Sequence, residues 1–147
     1  MNTLLILPII VPAITGMLAL FARNHRSVQR AISILGTLVL FGTGCALVYQ
    51  VHGQGIVAAQ MGDWPAPFGI TLVADELSAG LVAVTGFVAV AVAIYALAGI
   101  DEVREQFGFH ILFQLLLMGI NGAFITGDIF NMYVWFEVML IASFGLL

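Results

Sequence analysis

Lysine is absent from this chain of 147 residues, and its positive charge comes from four arginines alone. Charged residues make up only 8% of the chain, whereas soluble domains carry about 25%. That is too little charge to cover a water-soluble surface. With a net charge of −4, the chain also has no basic patch that could bind phosphates, so nucleic acid is not an expected partner.

Cysteine is almost absent as well. Cys45 is the only one, which excludes an intrachain disulfide and a multi-cysteine metal site and leaves a packing role within its apolar run. No nucleotide-binding loop, no nucleophile with its base and no haem or zinc motif is found. The sequence therefore predicts no cofactor, no metal ion and no catalytic residue, and the chain is not expected to be an enzyme.

Hydrophobic residues, in contrast, make up 62% of the chain. They fall in blocks of roughly 19 to 25 residues, long enough for helices rising about 1.5 Å per residue to cross a hydrocarbon core about 30 Å thick. The first block follows no basic residue and lacks a small-x-small cleavage pattern, so it is predicted to be a retained helix. The sequence thus predicts an all-α, polytopic membrane helix bundle in a lipid bilayer, forming one transmembrane domain, 1–147. Its five helices are expected at about residues 3–21, 31–51, 74–98, 108–126 and 129–147.

The arginines predict the orientation of these helices. Arg23, Arg26 and Arg30 follow the first span and Arg104 follows the third, so all four lie on one side of the membrane. The positive-inside rule makes that side cytoplasmic, with the N-terminus outside and the last residue inside. The outer loop, residues 52–73, is rich in turn residues, and its flanks are predicted to pair as a short hairpin.

The third span carries small residues every three or four positions, on one helical face. Such a face lets another helix approach closely and indicates a packed bundle. The residues are Ala79, Ala83, Gly86, Ala89, Ala93 and Ala96.

Glu137 is the most informative residue. It lies nine residues beyond Asp128, or about 13 to 14 Å into the fifth helix, near the middle of the core. An ionisable side chain at that depth costs roughly 2.5 to 3.5 kcal/mol and usually marks an ion or proton path. The alternative is a neutral carboxyl group that only hydrogen-bonds a neighbouring helix.

A polar seam follows the fourth span, where His110, Gln114 and Asn121 share one helical face. His110 is a candidate proton relay because histidine titrates near physiological pH. The alternative is an interfacial histidine bonded to backbone or water.

Three acidic residues stand at helix starts: Asp75 and Glu76 open the third span, and Asp128 precedes the fifth. Capping of the free backbone N–H groups is the preferred interpretation, and an outer mouth that attracts cations is the alternative. Asp101, Glu102 and Glu105 are expected to form a solvated connector.

The stretch NGAFITGDIFNMYVWFEVMLIAS, residues 121–143, resembles the fourth and fifth helices of the D subunits of Mrp-type Na+/H+ antiporters. The segments WPAPFGI, ADELSA and IYAL fit the same pattern in the same order. These proteins are related to the antiporter-like proton-pumping subunits of respiratory complex I. The resemblance implies the N-terminal portion of a fold of about fourteen helices, in a multi-pass protein of a bacterial cell membrane.

The resemblance also implies a function. The chain would belong to a hetero-oligomer of Mrp subunits that exchanges cytoplasmic Na+ for external H+, with Glu137 as the membrane-embedded glutamate of the proton path. In the family this residue couples to a lysine on a later helix, and this sequence contains none. Two alternatives stay open: a proton-pumping subunit of complex I or of a related hydrogenase, and a structural or assembly subunit without transport of its own.

Overall fold

The computed structural model describes residues 3–64 and 68–147, with the side chain of Asp63 left aside. Within these residues the chain forms long helices joined by short connections and one hairpin. The elements are α1 (Thr3–Phe21), α2 (Arg26–Gln54), β1 (Val57–Gln60), β2 (Thr71–Ala74), α3 (Glu76–Gly99), α4 (Glu102–Gln106), α5 (Phe109–Ile125) and α6 (Ile129–Leu146).

The predicted fold class, an all-α membrane helix bundle, is confirmed. Helices α1, α2, α3 and α6 are each long and apolar enough to cross a membrane. Helix α5 has 17 residues, the lower limit of what a span requires.

Helix α2 begins earlier than the sequence predicted, at Arg26 instead of residue 31, and it runs for 29 residues. The predicted span began only after the last charged residue, Arg30. The helix continues through Arg26 and Arg30 because both guanidinium groups pair with Glu105, so neither needs to lie in lipid. Helix α4, a single short turn in the charged connector, was not predicted either.

Helices α2 and α3 pack backbone against backbone, as the small face of α3 predicted. A Cβ atom added at Gly44 would lie 2.7 Å from the Cα of Ala83, and one added at Gly86 would lie 2.6 Å from the Cα of Phe41. Neither distance leaves room for a side chain. This contact fixes α2 and α3 as one unit, against which α1 and α5 pack.

The predicted hairpin is also confirmed. Strands β1 and β2 pair antiparallel, with Val57 opposite Ala74 and Gln60 opposite Thr71. The GDWPAPFG segment connects them, and its residues 65–67 lie outside the described part of the chain. The N–H of Gly127 donates to the carbonyl of Thr71 at 2.8 Å, which ties the connection between α5 and α6 to the hairpin.

The bundle therefore has two chemically different ends. The hairpin, the start of α3 and the α5–α6 connection share one end. The starts of α2 and α5 and the whole of α4 share the other, where the arginines lie. The grouping of the arginines at one end agrees with the predicted orientation, whose direction across the membrane remains a prediction.

Candidate functional site

Glu105 is the centre of a buried cluster at the arginine end. Its side chain is only 3% exposed. One carboxylate oxygen, Oε2, accepts from Nη2 of Arg26 at 2.6 Å and from Nη2 of Arg30 at 3.0 Å. The other, Oε1, accepts from Nε of Arg30 at 2.5 Å and lies 3.0 Å from Nε2 of His110. One carboxylate thus joins α2, α4 and α5.

The electrostatics of this cluster keep Glu105 ionised. Burial by itself raises the pKa of the carboxyl group, but hydrogen bonds from Arg30, Arg26 and His110 outweigh it and lower the pKa to about 2. Glu102 adds a second, exposed carboxylate, 2.6 Å from Nη1 of Arg26. Two arginines and two glutamates therefore balance in formal charge.

For Glu105, the expectation of a solvated connector was wrong. The residue stands among other charged residues in a polar connector, and nothing in that local pattern separates a buried carboxylate from an exposed one. A usable signal was present elsewhere: Arg26 and Arg30 are four residues apart, so they share a helical face and converge on one acceptor.

The polar seam of α5, predicted to lie on one helical face, faces the interior. His110, Gln114 and Asn121 are all buried, at 2%, 0% and 0% exposure. Gln114 donates weakly from Nε2 to the carbonyl and hydroxyl oxygens of Ser33, both at 3.4 Å, and Asn121 donates from Nδ2 to the carbonyl of Leu117 at 2.8 Å. Within the described residues, Oε1 of Gln114, Oδ1 of Asn121 and Nδ1 of His110 have no hydrogen-bond partner.

Glu137 lies on α6, on the side turned away from α5. The contacts with α5 come from Trp135 against Gly122 and from Met139 against Gly119. Glu137 is two residues from each of those side chains, which on a helix is about 200° around the axis. Its side chain is partly buried.

The structure does not bring Glu137 and His110 together. The contacts between α5 and α6 place Glu137 level with residues 120 and 121 of α5. At about 1.5 Å per residue, that level is about 16 Å along the axis from His110. Asn121 lies at the end of the seam farthest from His110, and it is the buried polar residue of α5 at the depth of Glu137.

Asp75 and Asp128 both lie at helix N-termini and act as caps. Asp75 accepts from the N–H of Ser78 at 2.7 Å while the Ser78 hydroxyl accepts from the N–H of Asp75 at 2.9 Å. Hydrogen bonds from the backbone N–H and the side chain of Ser78 to the carboxylate lower the pKa of Asp75. Asp128 accepts from the N–H groups of Phe130 and Asn131, at 2.8 and 3.4 Å. Capping, the preferred interpretation, accounts for the position of both carboxylates.

Comparison with known proteins shows which proteins the chain resembles. No family model matches the chain. Over its full length it is 42% identical to the D subunit of the Na(+)/H(+) antiporter of Alkalihalophilus pseudofirmus and 42% identical to the D subunit of the probable K(+)/H(+) antiporter of Rhizobium meliloti. It spans 30% and 28% of those two proteins, or about a third of the length of the curated relatives it matches.

Solved structures agree with the sequence relatives. In the Mrp complex of Dietzia sp. DQ12-45-1b, a chain superposes with a TM-score of 0.87 and 27% identity, covering 99% of this chain and 27% of the other. In the archaeal membrane-bound sulfane sulfur reductase, the TM-score is 0.89 and the identity 26%, covering 95% and 29%.

The chain is thus similar to membrane subunits of antiporters and to a chain of a respiratory membrane complex. The predicted resemblance to the D subunits of Mrp-type antiporters is confirmed, since it extends over the full length of the chain.

Proposed function

We propose that this chain is part of a membrane subunit of a multisubunit monovalent cation/proton antiporter, which exchanges cytoplasmic Na+ for external H+. The observation that carries the proposal is the similarity of the whole chain, at 42% identity, to the D subunit of an antiporter. Its partners would be the other subunits of an Mrp-type complex, within the bilayer of a bacterial cell membrane. A transporter subunit, and not an enzyme, is the function that the relatives' names support.

Glu137 is the proposed proton carrier. Its position on α6 is near the middle of the membrane core, where a charged carboxylate is costly and a protonated one is much less so. A group balanced between those two states can take up and release a proton. Its face of α6 is turned away from the described helices, so a counter-charge for the ionised form would have to come from outside them.

His110 is proposed as a relay at the cytoplasmic end, where its buried ring stands next to the ion pairs of Glu105. Asn121 and Gln114 would line the route between His110 and the depth of Glu137. Asp75 and Asp128 are not assigned to this route, because capping explains both.

The experiment for the proposed exchange uses inverted membrane vesicles that contain the complete complex. An imposed proton gradient is established without any respiratory substrate, and Na+ or K+ is then added. Antiport predicts that cation addition collapses the gradient. Na+ and K+ should be tested side by side, because the relatives named for the two cations are equally identical to this chain.

A redox-driven pump is the second candidate, and the close superposition on a chain of an archaeal respiratory complex favours it. The same vesicles decide between the two. Proton movement that needs an electron donor and ignores added cations would support the pump, whereas cation-dependent movement without a donor would contradict it.

A structural or assembly role without transport is the third. Glu137→Gln keeps the size and hydrogen-bonding capacity of the side chain but removes the exchangeable proton. If the variant complex assembles normally and exchange is lost, the assembly role is contradicted. If exchange per assembled complex is unchanged, Glu137 is not the carrier.

A further inference from the structure

The contact between Glu105 and His110 determines which ring nitrogen of the histidine carries its hydrogen. An ionised carboxylate can only accept hydrogen bonds. Since Nε2 of His110 lies 3.0 Å from Oε1 of Glu105, Nε2 must be the donor. The neutral ring is then the Nε2–H tautomer, and the lone pair of Nδ1 is free.

That free lone pair is inside the protein. His110 is 2% exposed, and Nδ1 has no hydrogen-bond partner among the described residues. Phe109 packs edge-on against the ring, with centroids 5.3 Å apart, and its apolar side chain offers no hydrogen-bond donor. A basic nitrogen in this position can bind a proton without first breaking another hydrogen bond.

Few charged side chains of the described helices face the His110 ring. Glu105 faces the ring from α4, and Arg26 and Arg30 face it from α2 through Glu105. Helix α1 carries no charged residue, and α5 carries none beside the histidine itself. The only charged residue of α3 is Glu76, at the opposite end of the bundle, and Glu137 of α6 is about 16 Å away along the axis.

We propose that Glu105 is a positioning residue for proton transfer: it holds His110 as the Nε2–H tautomer, so that Nδ1 is the nitrogen that accepts and returns the proton. This rests on the proposed function. When a proton binds Nδ1, the ring becomes an imidazolium whose Nε2–H stays on Glu105. When the proton leaves Nδ1, the neutral tautomer is restored and no other bond changes.

Glu105 itself does not carry the proton. Arg26 and Arg30 supply four of the five hydrogen bonds to its two oxygens, which favours the ionised carboxylate at every physiological pH. Its contribution is a fixed acceptor that holds the Nε2–H of the ring in both protonation states of His110. A purely structural ion pair would fix the same tautomer of His110, so the role in proton transfer is tested by the pH dependence of exchange.

The test is nitrogen NMR of the complete complex labelled with 15N at the histidine rings, with the His110 signals assigned by their loss in His110→Gln. The native complex at neutral pH should show a protonated Nε2 and an unprotonated Nδ1. Glu105→Gln should produce a mixture of tautomers, because an amide can donate as well as accept. Glu102→Gln is the matched control, since Glu102 pairs with the same Arg26 but is 75% exposed, and it should leave the tautomer unchanged.

The pH dependence of exchange provides the second readout. In Glu105→Gln the ring loses its fixed acceptor, so the pH profile of exchange should no longer match that of the native complex, while Glu102→Gln should leave the profile in place. An Nδ1–H tautomer in the native complex would overturn the proposal, as would a Glu105→Gln variant with native tautomer and native pH profile. An Nδ1–H tautomer in the native complex overturns the proposal even if Glu105→Gln does not assemble. The tautomer is measured without any transport assay. Its result therefore does not depend on whether the Glu137 variants lose cation/proton exchange, and the two proposals can fail separately.

Discussion

Removal of the Glu105 carboxylate should loosen the arginine end of the bundle. In Glu105→Ala, Arg26 and Arg30 lose their shared acceptor, and the Nε2–H of His110 is left buried without a partner, which by itself costs about 1 to 3 kcal/mol. The pKa gives an independent magnitude. Its fall from 4.5 to about 2 corresponds to roughly 3 kcal/mol of stabilisation by the ionised form.

This stabilisation has a defined pH dependence. Because the pKa is lower in the folded protein, the contribution is fully present above pH 4.5 and is lost as the pH falls toward 2. Measurements at pH 7 therefore observe the full effect of the substitution.

Amide hydrogen exchange followed by mass spectrometry, on peptides that cover α4 and the start of α5, is the appropriate assay because it reports local opening free energies. A loss of roughly 3 kcal/mol corresponds to an exchange rate about a hundredfold faster in Glu105→Ala. Glu102, in the same short helix, is exposed, so Glu102→Ala should change the rate of amide hydrogen exchange by only a few-fold. Equal effects of the two substitutions, or less than a fivefold effect of Glu105→Ala, would refute the assignment of Glu105 as the centre of the cluster.

Two further predictions follow from the packing and the caps. Gly44→Ala should separate α2 from α3 and destabilise the complex by about 1 to 3 kcal/mol, because the added Cβ would lie 2.7 Å from the backbone of Ala83. Gly42→Ala in the same helix meets nothing within 4 Å and should be tolerated. Thermal unfolding of the complex measures both variants, and equal unfolding midpoints would contradict the close packing. Asp75→Ala and Asp128→Ala should each cost about 1 kcal/mol, through loss of a cap, while exchange activity per assembled complex stays native; a loss of exchange in well-assembled variants would instead support the cation-mouth alternative.

Some of this architecture could be read from the sequence because it depends on local patterns. The apolar runs located the long helices, the spacing of small residues located the α3 face that meets α2, and turn residues between two short extended segments located the hairpin. Asp75 and Asp128 stand directly before helices, where capping needs only the neighbouring residues.

The Glu105 cluster could not be read in the same way. Its hydrogen bonds join residues 79 and 75 positions apart, and they depend on how the connector folds back over the start of α2. The length of α2 was underestimated for the same reason, since Arg26 and Arg30 precede the apolar run in the sequence but belong to the first turns of the helix. The neighbours of Glu137 could not be predicted from the sequence either, because its face of α6 is turned away from α5, the helix against which α6 packs.

Glu137 is the residue on which the proposed transport depends most directly, and one measurement addresses it: cation-dependent proton movement in inverted vesicles that carry the complete complex. The native protein, Glu137→Ala and Glu137→Asp are compared, with the amount of assembled complex determined for each. We expect no exchange in Glu137→Ala and partial exchange in Glu137→Asp, which retains a titratable group on a shorter side chain, with assembly unchanged in both. Native exchange in Glu137→Ala at normal assembly would contradict the proposed proton path and reduce this carboxylate to a packing residue.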